Sequence, residues 1–225
     1  MMERQLLLGN NLMKLKVCGL TQLEQIEKLT AMNTDFFGFI FYEKSPRYIL
    51  NHLNLKQIGE IKHQGKVGVF VNESLEKIVE IAEKAKLNFI QLHGDENADF
   101  INELRKKLNP ENKIIKVIRI GNQISDELQQ IINVNFSTVD YFLFDTDSTT
   151  FGGTGKIFDW NLLNEIDIPL PYFLSGGISL ENIEKLTIPK QKPFAIDINS
   201  RFETKPGIKD LGKIKILKTH LKFNT

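Results

Sequence analysis

The chain has 225 residues, 41% of them hydrophobic, which is enough to bury a full core in one domain of barrel or open-sheet size. Twenty-nine basic residues stand against 28 acidic ones for a net charge of +1, so no overall field draws nucleic acid or an anionic membrane, and any anion must be held locally. A single cysteine excludes an internal disulfide framework and fits a reducing compartment, which makes the cytoplasm the expected location.

Residues 1–13 read as an N-terminal extension. Leu6-Leu7-Leu8 lies between Glu3 and Asn10, too short and too polar for a signal-peptide apolar region or a membrane span. The longest strongly apolar stretch, residues 36–42, is far short of the roughly twenty residues a spanning helix needs. Met13 immediately precedes Lys14, and residues 14–225 are expected to form one domain.

From residue 15 onward, short β-rich runs alternate with segments of helical period. Strands are predicted over 15–18, 36–41, 67–71, 89–92, 114–118, 141–145, 172–174 and 194–198. Between the third and fourth, residues 75–86 place Leu75, Ile78, Val79 and Ala82 on one helical face and Glu76, Lys77, Glu80 and Glu83 on the other, with Ser74 as N-cap. Residues 120–139, rich in Asn and Gln, are the least helix-like, and 148–155 reads as a mobile or ligand-covering loop. Eight successive strand-then-helix units predict an α/β fold, a single-domain (β/α)8 TIM barrel, because a doubly wound sheet normally uses five or six strands. Short, nearly continuous apolar strands suit a parallel sheet covered by helices.

A barrel of this kind places catalytic groups at strand C-termini and a phosphate site in the loops after strands seven and eight. Cys18 ends the first predicted strand and Asp145 the sixth; Ser175-Gly176-Gly177 follows the seventh; Asp197-Ile198-Asn199-Ser200 closes the eighth. Each has an ordinary alternative. A lone cysteine packs as a small hydrophobe, an acid after a strand caps a turn, and two glycines make a turn. Gathered at one end of several strands, they read as an active site. Gly176 and Gly177 let backbone N–H groups and the start of the next helix approach a phosphate, and Asn199, Ser200 and Arg201 add N–H groups, a hydroxyl and a guanidinium.

Two cofactor motifs fail. Gly152-Gly153-Thr154-Gly155-Lys156 has Thr150 and Ile157 where a nucleotide P-loop needs Gly and Ser or Thr, and Phe158 where a dinucleotide fingerprint needs its third glycine. His93-Gly94-Asp95-Glu96 invites a metal, but His52, His63 and His220 show no paired ligand spacing, so no metal is expected.

Taken together, Lys16-Val17-Cys18-Gly19-Leu20-Thr21, Gly38-Phe39-Ile40-Phe41-Tyr42 with Lys44-Ser45-Pro46-Arg47-Tyr48, Val67-Gly68-Val69-Phe70-Val71-Asn72, Gln91-Leu92-His93-Gly94, the Gly152 to Lys156 stretch with Phe158-Asp159-Trp160, Leu174-Ser175-Gly176-Gly177-Ile178 and Pro206-Gly207-Ile208-Lys209-Asp210 resemble the phosphoribosylanthranilate isomerase family, in order along the chain. Residues 97–140 carry little of the likeness.

The resemblance implies an Amadori rearrangement of N-(5-phosphoribosyl)anthranilate to 1-(2-carboxyphenylamino)-1-deoxyribulose 5-phosphate in tryptophan biosynthesis. A general acid protonates the furanose oxygen and a general base removes the C2 proton, so proton transfer suffices and no cofactor is implied. By motif match Asp145 is the acid and Cys18 the base, which asks for a carboxyl kept partly protonated near neutral pH and a thiol able to reach the thiolate. Arg47 is carried over as the anthranilate carboxylate ligand, His93 as a substrate-positioning group and Asp197 as a polar group at the end of strand eight that contacts a sugar hydroxyl or orients loops. The family pattern usually has Gly where this chain has Arg201, which limits a left-handed backbone there while its charge suits a phosphate. The implied partner is a small phosphosugar substrate, and the expected state is a monomer, with a homodimer as the alternative. Two readings compete: another phosphosugar barrel, such as an indole-glycerol-phosphate synthase or pentose-phosphate epimerase, whose catalytic Lys and Glu or metal-binding His and Asp patterns are missing here, and a non-catalytic phospho-ligand binder, which would not need Cys18 and Asp145.

Overall fold

The computed structural model describes residues 13–147, 158–187 and 189–223; residues 1–12 of the extension expected over 1–13 and the covering loop expected over 148–155 lie outside the described residues. Eight parallel strands close into a barrel in chain order: β1 (Lys14–Cys18), β2 (Phe36–Ile40), β3 (Lys66–Phe70), β4 (Phe89–Leu92), β5 (Lys113–Ile120), β6 (Tyr141–Thr146), β7 (Tyr172–Leu174) and β8 (Ala195–Ile198), with β8 hydrogen-bonded back to β1. All eight predicted strands are present, β4 and β7 residue for residue and the other six shifted at an end by one or two residues. The predicted (β/α)8 architecture is the one observed.

Helices α1 (Leu23–Ala31), α2 (Leu55–Glu60), α3 (Leu75–Lys84), α4 (Ala98–Lys107), α5 (Ser125–Asn135) and α6 (Leu211–Phe223) cover the outside. Local chemistry starts several of them. Asn54 and Gln57 form a reciprocal capping box at 2.9 Å each way, and Asn97 Oδ1 accepts from the Phe100 N–H at 2.9 Å. Ser74 stands at the N-cap of α3 as expected but makes no capping bond; its own N–H instead donates to Glu73 Oε1. The helix stops at Lys84, two residues early, because Lys86 turns left-handed at φ 49°.

Two expectations about the helices change. Residues 125–135 form a regular helix, since Leu128 and Ile132 supply a buried i, i+4 pair and Asp126 and Glu127 favour its N-terminus, while Asn and Gln largely occupy its outer side. After β6 and β7 the described residues hold only short 3-10 turns, Trp160–Asn164 and Ile183–Thr187, in place of full helices. Pro169, Pro171 and Pro189 crowd these connections, and a proline both removes a donor and keeps its predecessor out of the helical region.

The strand pleat sorts side chains between two cores. Outward residues such as Val17, Phe37, Phe39, Ile90, Phe142, Phe144 and Ile196 pack under the helices. Inward ones form a separate interior cluster, Phe36, Val67, Val69, Ile115, Val117, Leu143, Phe173 and Ala195, which ends at Cys18. At its base Phe36 meets Phe89 and Phe173 edge-on at 5.2 Å and Tyr141 meets Phe194 at 5.2 Å, so a packed aromatic floor lies under the open mouth.

Candidate active site

Because the side-chain period of a strand is two, residues two apart stay on the inner face, and the inward rows climb from this apolar floor to polar groups at the mouth. β1 contributes Lys16 and then Cys18; β4 and the residue past it contribute Gln91 and His93; β6 contributes Asp145; β8 and its loop contribute Asp197 and Asn199. A cavity at the C-terminal end of the strands is lined by Cys18, Gln91, His93, Asp145, Asp197 and Asn199, with Arg47, Ser175, Gly176, Gly177, Ser200 and Arg201 around its rim. The candidate site residues singled out from the sequence therefore meet in one place.

Cys18 is 5% exposed and faces Gly38, its register partner on β2. A Cβ at residue 38 would lie 2.8 Å from the sulfur, so glycine is what leaves the thiol room. Burial pushes the Cys18 thiol above its ordinary value; the positive charges of Lys16 and Lys209 work against that, and Asp197 adds to it. Lys16 is fully buried and its Nζ lies 2.9 Å from Asp197 Oδ1. Burial disfavours the Lys16 charge, yet Asp197 and Cys18 together hold its pKa above the usual lysine value.

Asp145, near the end of β6, lines the same cavity. Burial, reinforced by the negative charge of Asp197, pushes its carboxyl up to about 7, although the Thr146 N–H donates to Oδ1 at 2.8 Å and favours the ionised form. His93 Nε2 stands 3.6 Å from Asp145 Oδ2. Burial and then the charges of Lys16, Arg119 and Lys116 push the imidazole down to about 3, so it is neutral at physiological pH. Gln91 Nε2 lies 3.0 Å from His93 Nδ1, which holds the ring. The next acids do not join His93 in a metal site: Glu96 turns under the loop to pair with Lys116 at 3.0 Å and to accept from the Asn72 N–H at 2.8 Å. Among the described residues no group of three His, Cys, Asp or Glu has the arrangement of a metal site.

The residues expected to meet an anion lie around the rim of the same cavity. Gly176 and Gly177 both take left-handed backbones, at φ 84° and 70°, and a Cβ on Gly176 would stand 2.5 Å from Thr146 Oγ1. The expected helix start after Gly177 is absent; Asn182 instead closes that turn, accepting from the Ser179 N–H and donating to the Gly177 carbonyl at 2.9 Å each. Arg201 is exposed at the rim and its φ is not positive, so the residue that departs from the family pattern fits without backbone strain.

Arg47 is buried rather than solvated, 9% exposed, with its Nε and Nη2 on both oxygens of Glu203. Asp197 spends one oxygen on Lys16. Sequence reasoning missed Lys16, Gln91, Glu203 and Lys209. The first two carried a signal, since each is two residues before an identified site residue on the same strand face; Glu203 and Lys209 lie past the barrel strands on a small antiparallel pair, β9 (Glu203–Lys205) and β10 (Ile208–Lys209), where no strand pleat points to them, although Lys209 falls in one of the segments that carry the resemblance.

Comparison with known proteins bears on the family and the fold. A family model described as N-(5'-phosphoribosyl)anthranilate (PRA) isomerase matches residues 15–219. The N-(5'-phosphoribosyl)anthranilate isomerase of Parabacteroides distasonis is 38% identical over 206 residues, covering 90% of each chain. The fold is similar to a phosphoribosyl anthranilate isomerase solved in complex with reduced 1-(o-carboxyphenylamino)-1-deoxyribulose 5-phosphate (TM-score 0.73, 29% identity, 93% of this chain and 98% of the other). It is likewise similar to monomers generated from the dimeric enzyme of Thermotoga maritima (TM-score 0.74, 30% identity, 93% and 98%).

Proposed function

The chain belongs to the N-(5'-phosphoribosyl)anthranilate isomerase family and is an isomerase of tryptophan biosynthesis; from that premise we propose that Cys18 and Asp145 carry its proton transfers. The observation that supports this most is that both groups line one cavity at the barrel mouth and that the Asp145 carboxyl is pushed up to about 7. A carboxyl with that value still holds its proton in an appreciable fraction of molecules at neutral pH, which a general acid must do.

The steps follow from that placement. Asp145 gives its proton to the furanose ring oxygen as the C1–O bond breaks, and the anilino nitrogen lone pair completes the protonated imine. The Cys18 thiolate then takes the C2 proton, the C–H electron pair flows into the imine, and the resulting enolamine tautomerises to the ketone. Each transfer is worth about 10² to 10⁴ in rate. Lys16 and Lys209 oppose the burial that disfavours the thiolate, so the base is reached at lower cost than in an apolar pocket. Neutral His93 adds no charge that would pull the proton off Asp145.

Substrate placement uses the rim. Gly176, Gly177, Asn199 and Ser200 take the phosphate, with Arg201 beside them, and Arg47 takes the anthranilate carboxylate. Asp197, fixed by Lys16, offers its second oxygen to a sugar hydroxyl. The substrate is thereby held at both ends with its ribose between acid and base. The enzyme works in the cytoplasm as a monomer in this reading; no described helix is long and apolar enough to cross a membrane.

Turnover of N-(5-phosphoribosyl)anthranilate, followed by loss of its fluorescence, tests the assignment. Cys18→Ser and Asp145→Asn are each expected to lose at least about a hundredfold in kcat. A near-normal rate in either variant removes that residue from the chemistry. Arg47→Ala is expected to raise KM with an intact fold.

A further inference from the structure

Glu203 reaches the site from outside the barrel strands, and its contacts are unusually complete for a carboxylate that no reaction step uses. Its side chain is 4% exposed. Arg47 Nε donates to both oxygens at 3.0 Å and Nη2 donates to Oε2 at 2.6 Å. Lys209 Nζ lies 2.7 Å from Oε1 and 2.9 Å from Asn199 Oδ1, and the Gly207 N–H donates to Oε1 at 3.1 Å. Arg47 and Asn199 both lie against Gly19, where a Cβ would meet Arg47 Cδ at 2.6 Å and Asn199 Oδ1 at 2.8 Å.

We infer that Glu203 is a positioning residue for recognition of the substrate's aromatic carboxylate: it grips the inner edge of the Arg47 guanidinium so that the outer edge is presented to the cavity. The inference rests on the assignment of Arg47 to that carboxylate and deepens it. Arginine has five N–H donors in a rigid plane. Glu203 occupies the Nε and Nη2 edge, which leaves the Nη1 and Nη2 ends, two parallel donors spaced for a second carboxylate. Charge favours a second anion as well. One buried carboxylate faces two cations, Arg47 and Lys209, so the cluster keeps a net positive charge for the ligand. Burial pushes the Glu203 carboxyl up, but Arg47 and Lys209 outweigh it and hold the group below its ordinary value, so it stays ionised. A long side chain fixed in advance also loses less freedom on binding, which lowers KM without touching the chemical step.

The test compares two substrates that differ only in the group at issue: N-(5-phosphoribosyl)anthranilate, and N-(5-phosphoribosyl)aniline prepared in the same way from ribose 5-phosphate and aniline. In Glu203→Gln, KM for the anthranilate compound should rise about tenfold, while its kcat and the KM for the aniline compound stay within about twofold of the parent protein. Glu203→Asp keeps the charge beside Lys209 but withdraws the oxygens from Arg47; it should give the same selective rise, smaller in size, and it carries the test if Glu203→Gln fails to fold by circular dichroism. An equal loss on both substrates, or no loss on either, overturns the inference. Arg47→Ala, run in parallel, separates the two assignments: a loss confined to the anthranilate compound upholds Arg47 even where Glu203 fails, and an equal loss on both overturns the reading of Arg47 itself.

Discussion

Lys16 and Asp197 are register partners on adjacent strands, and their side chains meet at 2.9 Å beneath the mouth, one pleat below Cys18. A buried pair of this kind is costly to break by halves, because removing one member leaves the other charged and unpaired. Lys16→Met is therefore expected to destabilise the protein by about 3–5 kcal/mol, read from denaturant midpoints. It should also slow alkylation of Cys18 by iodoacetamide at a given pH, since the nearest cation opposing thiol burial is gone. Unchanged alkylation rates would detach Lys16 from the thiol.

The pH profile follows from the two raised values. In the proposed mechanism the reactive form needs the Cys18 thiolate together with protonated Asp145, whose carboxyl is pushed up to about 7 while burial pushes the thiol above its usual range. Below about 7 the thiolate grows with pH while Asp145 keeps its proton, so kcat/KM rises; between the two values the gain in one group cancels the loss in the other; above the thiol value it falls. In Asp145→Asn the residual rate should climb through pH 7 without levelling. A break near 7 that survives in this variant would assign it to another group.

Stability shows the same group with a definite sign. Asp145 has an ordinary value of 3.8 when unfolded and about 7 when folded, so between those limits the folded state holds more proton. Stability contributed by this group therefore falls as pH rises from about 4 to 7, and the loss is complete above 7. Relative to the parent, Asp145→Asn should gain roughly 2–4 kcal/mol at pH 8 over its standing at pH 4, measured by urea unfolding at both. An activity-dead variant that is more stable at pH 8 is the expected signature of a carboxyl held under strain for function.

Gly38 gives Cys18 its space. A Cβ there would lie 2.8 Å from the sulfur and 2.9 Å from Cys18 Cα, and the backbone atom has no easy way to retreat. Gly38→Ala should cost about 1–3 kcal/mol in stability and lower kcat at least about tenfold through misplacement of the base. An unaltered kcat would mean that the sulfur's position is not critical.

Gly176 tests the anion rim. Alanine there must adopt φ 84° and crowd Thr146 Oγ1 at 2.5 Å and Thr146 N at 2.8 Å. The strain costs about 1–3 kcal/mol, and competitive inhibition by inorganic phosphate should weaken several-fold as the N–H groups move. Inhibition that stays as strong would locate the phosphate elsewhere.

The linear sequence determined the barrel, since apolar runs of strand length separated by amphipathic segments have few other ways to bury themselves, and it determined that Cys18, Asp145, Gly176 and Asn199 share one rim, because each ends a strand or follows one in a parallel barrel. It also offered Lys16 and Gln91 through the two-residue pleat, a signal that passed unused. It misread residues 120–139, where Asn and Gln masked the buried Leu128 and Ile132 pair, and it overcounted helices after β6 and β7, where prolines shorten the turns. Only the tertiary structure decided the charge partners. Asp197 meets Lys16 because β8 closes onto β1, and Glu203 meets Arg47 across 156 residues because a small hairpin beyond the barrel folds back over the second loop. Electrostatic shifts depend on burial and on charges brought near in space, so the neutral His93, the raised Asp145 carboxyl and the braced Arg47 came from the closed fold.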